Sequence, residues 1–333
     1  MNTADARKAA GPRGHRSPWL LWGSWLFGAA ALAAVVAVAL HLSEAEQFAR
    51  LLRQVEPGWF VLVLLLQALT YLFQGLIYRR VVHAGQACLP LWAACRLGLL
   101  KLFVDQALPT LGLSGTLAVT AAFERRRVPR PVVVACLVIG FASYLLAYVL
   151  ALGAALAVFL AEGRASALLL GAGVPFAAGC LGLALCALRL DGRRVPGRLR
   201  RLRWIRRSAR LLAQADVALT RNPRLLGVAT ALDLGIILLD ASSLWALVRS
   251  LGEAAAWSGV FAGFMLASVL RSIGITPGGL GIFEAAAVTS LHWAGVSLPV
   301  ALSATLLFRG LSFWLPMLPG MLVSRAMLHA PRG

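Results

Sequence analysis

Arg271-Ser-Ile-Gly-Ile-Thr-Pro-Gly-Gly-Leu-Gly-Ile-Phe-Glu284 ends one apolar helix, breaks the chain at Pro277-Gly278-Gly279 and restarts a helix that carries a carboxylate. Apolar sequence flanks the break from Ala255 to Pro299, which places it at membrane depth. Hydrocarbon offers no hydrogen-bond partner, so backbone that leaves a helix there must be buried in protein or line a wet cavity. The break therefore predicts a cavity. Gly278, Gly279 and Gly281 permit a tight turn that leaves the backbone open to a ligand. The helix starting near Gly281 would aim its free N–H groups at that turn.

Outward from this stretch the composition agrees. Of 333 residues, 60% are hydrophobic and 14% charged, and apolar runs of membrane-spanning length recur, which defines a polytopic all-α membrane protein. No stretch is long enough for a soluble catalytic domain. The formal net charge of +19 would suggest nucleic acid in a soluble protein. Here the arginines gather in segments assigned to one side of the membrane, so the positive-inside rule accounts for them and no nucleic-acid partner is expected. The strip Arg189 to Arg224 reads as a basic cytoplasmic amphipathic segment able to meet anionic headgroups. The five cysteines are scattered without a CxxC pair and the five histidines are equally dispersed, so neither a metal site nor a cofactor is expected.

Residues 1–18 read as a disordered cytoplasmic tail, and 19–327 as one membrane domain of about six full spans and two re-entrant, broken hairpins. The spans are expected at about Trp19–Leu42, Pro57–Tyr78, Pro131–Leu160, Leu168–Leu188, Leu225–Val248 and Pro299–Met327, with both termini cytoplasmic. Between the second and third spans, Cys88 to Phe123 has arginines at both ends and Pro109, Gly112 and Gly115 at its centre. Its returning limb of about ten residues would rise only ~15 Å, half a hydrocarbon core, so it reads as a hairpin. Adding 168 to residue numbers carries Pro109 onto Pro277 and Pro131-Val132 onto Pro299-Val300. The chain then divides into repeats at about 19–160 and 168–327. Three full spans per repeat would invert the second copy, bringing the hairpins in from opposite faces to meet near the midplane.

Eight ionisable residues fall inside apolar segments: Arg96, Lys101, Asp105, Asp233, Asp240, Arg271, Glu284 and Arg309. Against lipid each would cost a few kcal/mol, so they should pair or face water. Lys101 and Asp105 are one helical turn apart, and Arg96 can snorkel to the interface. Asp233 and Asp240 share one helix face. Two readings remain open at this point. The charges brace a polar bundle, or they form a substrate site with Arg271 and Arg309 as phosphate ligands beside Pro277, Gly278, Gly279, Gly281 and Glu284. In the second reading Asp233, Asp240, Lys101 and Asp105 balance charge or couple transport to protons.

The stretch Arg271–Glu284, with Gly295-Val296-Ser-Leu-Pro299 and Phe308-Arg309-Gly-Leu-Ser-Phe-Trp314-Leu-Pro316, resembles the flippase-like membrane domain family named for the transmembrane region of lysylphosphatidylglycerol synthase. In the first half the similarity is one of layout, carried by Leu108-Pro109-Thr-Leu-Gly112-Leu-Ser-Gly115 and Arg125–Val128, and this hairpin departs from the more glycine-rich family form. The resemblance implies a bacterial inner-membrane protein that moves a lipid between leaflets. Its partners would be an anionic phospholipid or a polyprenyl or aminoacyl lipid, and envelope-lipid biosynthesis enzymes. Some relatives carry a fused aminoacyltransferase domain. These residues include none, so the likeness is to stand-alone members and lipid synthesis is not expected. The rival readings are an integral membrane enzyme with Glu284 as general acid or base, and a scaffold subunit of an envelope-lipid pathway. Against the enzyme, no nucleophile stands beside a base.

Overall fold

Proline starts the spans. Pro57 opens α1 (Pro57–Ala84), and Pro131 is the second residue of α4 (Arg130–Ala161). Pro223 begins α7 (Pro223–Ser250), where Asn222 accepts the N–H groups of Arg224 and Leu225. Pro299 lies in the first turn of α10 (Leu298–Arg309). A first-turn proline removes an N–H that has no helical partner and presets the helical φ. In this computed structural model, residues 56–107, 113–161, 163, 167–189, 214–273 and 279–329 are described. The remaining elements are α2 (Leu91–Ala107), α3 (Leu113–Arg125), α5 (Ala167–Arg189), a single turn α6 (Val217–Thr220), α8 (Trp257–Ile273), α9 (Ile282–Trp293) and α11 (Leu315–His329). A five-residue π segment, Gly310–Trp314, joins α10 to α11 as one continuous rod.

The described residues form an all-α fold without strands, and five rods are long and apolar enough to cross a membrane: α1, α4, α5, α7 and the α10–α11 rod. The chain is a multi-pass membrane protein. The tail 1–18, the expected first span, the hairpin tip at Pro109 and Gly112, and the basic strip over 190–213 lie outside the described residues. One boundary differs from expectation. α1 was expected to stop at Tyr78 before Arg79-Arg80, yet it runs on to Ala84 and closes at Gly85, whose N–H reaches the Val81 carbonyl. Arginine is a good helix former. The exposed pair Arg79 and Arg80 ends the apolar window but leaves the helix intact.

Element boundaries recur at the spacing read from the prolines. Adding 168 carries α2 to 259–275 beside the observed Trp257–Ile273, α3 to 281–293 beside Ile282–Trp293, and Arg130 onto position 298, where α10 begins. Packing recurs too. α1 lies on α2 as α7 lies on α8; α1 meets α4 as α7 meets α10; and α4 covers α8 as α11 covers α2. α1 and α7 pack on each other.

Two apolar cores hold the two helix pairs at opposite ends of the same spans. One gathers α2 and α3 with the N-terminal half of α4, the first turns of α7 and the C-terminal part of α1, through Val132, Leu225 and Val81. The other gathers α8 and α9 with the C-terminal halves of α4 and α7 and with Val63 near the start of α1. α1 therefore runs antiparallel to α7. Gly75 sets how closely α1 approaches α2, because a Cβ there would lie 2.7 Å from the Cys95 sulfur and 3.0 Å from the Cys95 nitrogen. Gly75→Ala is expected to push α2 away from α1 and to cost ~1–3 kcal/mol. Thermal unfolding in detergent measures it, and an unchanged midpoint would show that the contact carries no stability.

Candidate functional site

The described end of the break, Gly279–Gly281, is a glycine turn leading into α9. Gly279 and Gly281 have φ of 69° and 82°, values that L side chains rarely adopt. Gly281 is the N-cap of α9, and Glu284, in its first turn, folds back to accept the Gly281 N–H at 2.6 Å through Oε2. Its other oxygen, Oε1, accepts from Arg309 Nε at 2.6 Å. Glu284 is 0% and Arg309 3% exposed, so this ion pair is sealed. It ties α9 to α10.

Phenylalanines shape the cationic side. The Arg309 guanidinium carbon lies 4.4 Å from the Phe313 ring centre and 5.3 Å from that of Phe283. Phe313 belongs to the π segment, and such wider turns re-aim side chains within a helix. Here the ring comes to lie against the guanidinium one turn before it. Arg271, in the last turn of α8, lies with its guanidinium carbon 5.6 Å from the Phe283 ring centre and is half-buried. Phe283 thus has both arginines within cation–π range.

Gly279 is held to glycine twice over: by its positive φ and because a Cβ would collide with the Arg271 side chain. Gly279→Ala is expected to cost ~1–2 kcal/mol through the left-handed backbone alone and to displace Arg271. A fall in unfolding midpoint together with weakened binding of anionic lipid checks this; wild-type behaviour in both would contradict it. Pro277 and Gly278 lie outside the described residues.

Between the two cores runs a polar band. On α7, Asp233 accepts from the Ser143 hydroxyl of α4 at 2.6 Å. About two turns further along the same face, Asp240 accepts from the Gln67 amide of α1 at 3.1 Å, and the same amide donates to Ser243. Asp233 lies within electrostatic reach of Lys101 on α2, and Asp240 within reach of Arg271 on α8. Lys101 also pairs with Asp105 at 2.9 Å, and this pair is partly exposed. Arg96 lies over the exposed Trp92 ring at 5.5 Å, away from the band.

The structure unites Glu284, Arg309, Gly279, Gly281 and Arg271 at the second helix pair, sets Asp240 at the same end of the spans, and places Asp233, Lys101 and Asp105 toward the first. It divides the two arginines that the sequence reading joined. Arg309 is committed to Glu284, while Arg271 is the half-open cation. Gln67 and Ser143 were missed, although an amide and a hydroxyl inside otherwise apolar spans are a legible signal. Among the described residues no group of three His, Cys, Asp or Glu could hold a metal ion.

Comparison with curated proteins gives no match. The family model described as lysylphosphatidylglycerol synthase TM region matches residues 21–320, a range that contains both helix pairs, the polar band and the glycine turn, and the chain belongs to that family, whose members are membrane proteins tied to lipid handling.

Proposed function

We propose that this protein translocates an anionic lipid between leaflets of a bacterial inner membrane, its headgroup crossing through the polar band while the acyl chains remain in the bilayer. The observation that carries this reading is the placement of the band: carboxylates and cations at membrane depth, lying between two helix pairs that pack at opposite ends of the same spans. Charges at that depth demand partners or water, and a headgroup supplies both needs in passing. Arg271 takes the lipid phosphate, because a guanidinium offers a planar fork to phosphate oxygens. Asp240 and Asp233 balance the cations when no lipid is bound.

The antiparallel run of α1 against α7, with the matching element boundaries 168 residues apart, supports an inverted repeat whose hairpins enter from opposite faces. Alternating access follows, with each hairpin opening the band to one leaflet. The arginine-rich ends, Arg79-Arg80, Arg125–Arg127 and Arg325, support cytoplasmic termini. No chemical step is assigned to the protein, and envelope-lipid biosynthesis enzymes would supply its cargo.

Leaflet exchange in liposomes tests the reading. Purified protein is expected to speed exchange of fluorescent anionic phospholipid above protein-free liposomes, with zwitterionic and lysyl-modified lipids defining the class. No acceleration for any lipid would favour a scaffold role, and a lipid of altered mass after incubation would reveal an enzyme.

A further inference from the structure

We propose that Asp105 is the positioning residue of the first helix pair, fixing the start of α3 against α2 as Glu284 fixes the start of α9. Gly115 is the third residue of α3, so its N–H is one of those that a helix start leaves without a partner. Asp105 Oδ1 accepts that N–H at 2.9 Å, and Oδ2 accepts from Lys101 Nζ at 2.9 Å. The approach is close enough to require glycine, since a Cβ on Gly115 would collide with the Asp105 carboxyl and lie 2.6 Å from the Lys101 carbonyl oxygen. At the second pair the same three parts recur: the Gly281 N–H, the Glu284 carboxylate and the Arg309 guanidinium. Charge on the acceptor makes such bonds stronger than neutral ones.

The two units are built from different positions. Adding 168 to Asp105 falls on Ile273, and the carboxylate stands on the entering helix in the first pair and on the returning helix in the second. Sequence offset therefore conceals the likeness. Their fastening also differs. Arg309 belongs to α10, so the second unit bolts its helix pair to a span, whereas Lys101 and Asp105 lie on the same helix and the first unit is internal to its pair. The side chains of Lys101 and Asp105 are 38% and 19% exposed, against 4% and 1% for Arg309 and Glu284. Asp105 thus makes α2 and α3 one body without tying that body to a neighbouring span.

Hydrogen exchange by mass spectrometry, on the full chain in lipid nanodiscs, tests the proposal beside the leaflet-exchange assay. Asp105→Ala is expected to speed amide exchange across 113–118 about tenfold, the order of one lost charge-assisted hydrogen bond, leaving 282–293 at the wild-type rate. Asp105→Asn keeps an acceptor oxygen and should retain most of the protection. Gly115→Ala should loosen the same peptide with Asp105 intact, which serves if Asp105→Ala does not fold. Unchanged protection in the foldable variants, or an equal rise at both helix pairs, would overturn the assignment. If protection at 113–118 is lost while wild type exchanges no lipid, Asp105 keeps its positioning role and the translocation reading falls.

Discussion

Arg309→Ala is expected to lose ~3–5 kcal/mol of stability, because it leaves the Glu284 carboxylate buried without its cation. Glu284 has 0% exposure, so water cannot replace the guanidinium. Glu284→Ala should be as severe, removing the carboxylate that faces the Arg309 guanidinium and the acceptor of the Gly281 N–H. The pair itself need not be a net gain over apolar packing, since both charges were taken out of water to make it. The double variant Glu284→Leu with Arg309→Met should therefore recover much of the loss of either single change. Unfolding midpoints of the two singles and the double, in one detergent, give the coupling. Losses that simply add would show that the residues act independently, and the brace between α9 and α10 would have to be abandoned.

Arg271→Ala should have the opposite profile: a folded protein that no longer holds its ligand. Arg271 is half-buried, and its ring contact at 5.6 Å is of the kind worth ~0.5–1 kcal/mol at partly exposed sites. Its loss should barely move the unfolding midpoint. Binding of a fluorescent anionic phospholipid in detergent should weaken about 10- to 100-fold, the range for losing charge-assisted hydrogen bonds to a phosphate. Arg271→Lys keeps the charge but not the fork, so its affinity should fall between the two. Equal binding by wild type and Arg271→Ala would remove Arg271 from the site.

The separation of these effects is what the sequence alone could not show. Arg271 and Arg309 read alike there, as arginines near a helix break. Which of them is neutralised depends on a contact spanning 25 residues, from Glu284 to Arg309, and no local pattern encodes that choice. The π segment is equally silent in sequence, yet it sets Phe313 against Arg309. Local signals served better. First-turn prolines marked Pro57, Pro131 and Pro299, and the glycines at 279 and 281 announced the positive φ values that the turn requires. Arg79-Arg80 misled, because a charge ends hydrophobicity before it ends a helix. Gln67 and Ser143 carry no charge and stand out little from the apolar spans around them. They bind the two carboxylates of α7 all the same.

The most direct test of translocation through the band is the leaflet-exchange rate of a fluorescent anionic phospholipid in liposomes holding equal amounts of folded wild type or Arg271→Ala. Wild type should accelerate exchange and Arg271→Ala should return it to the protein-free rate. Acceleration that survives the substitution unchanged would contradict a phosphate site at Arg271 and place the lipid's path elsewhere in the molecule.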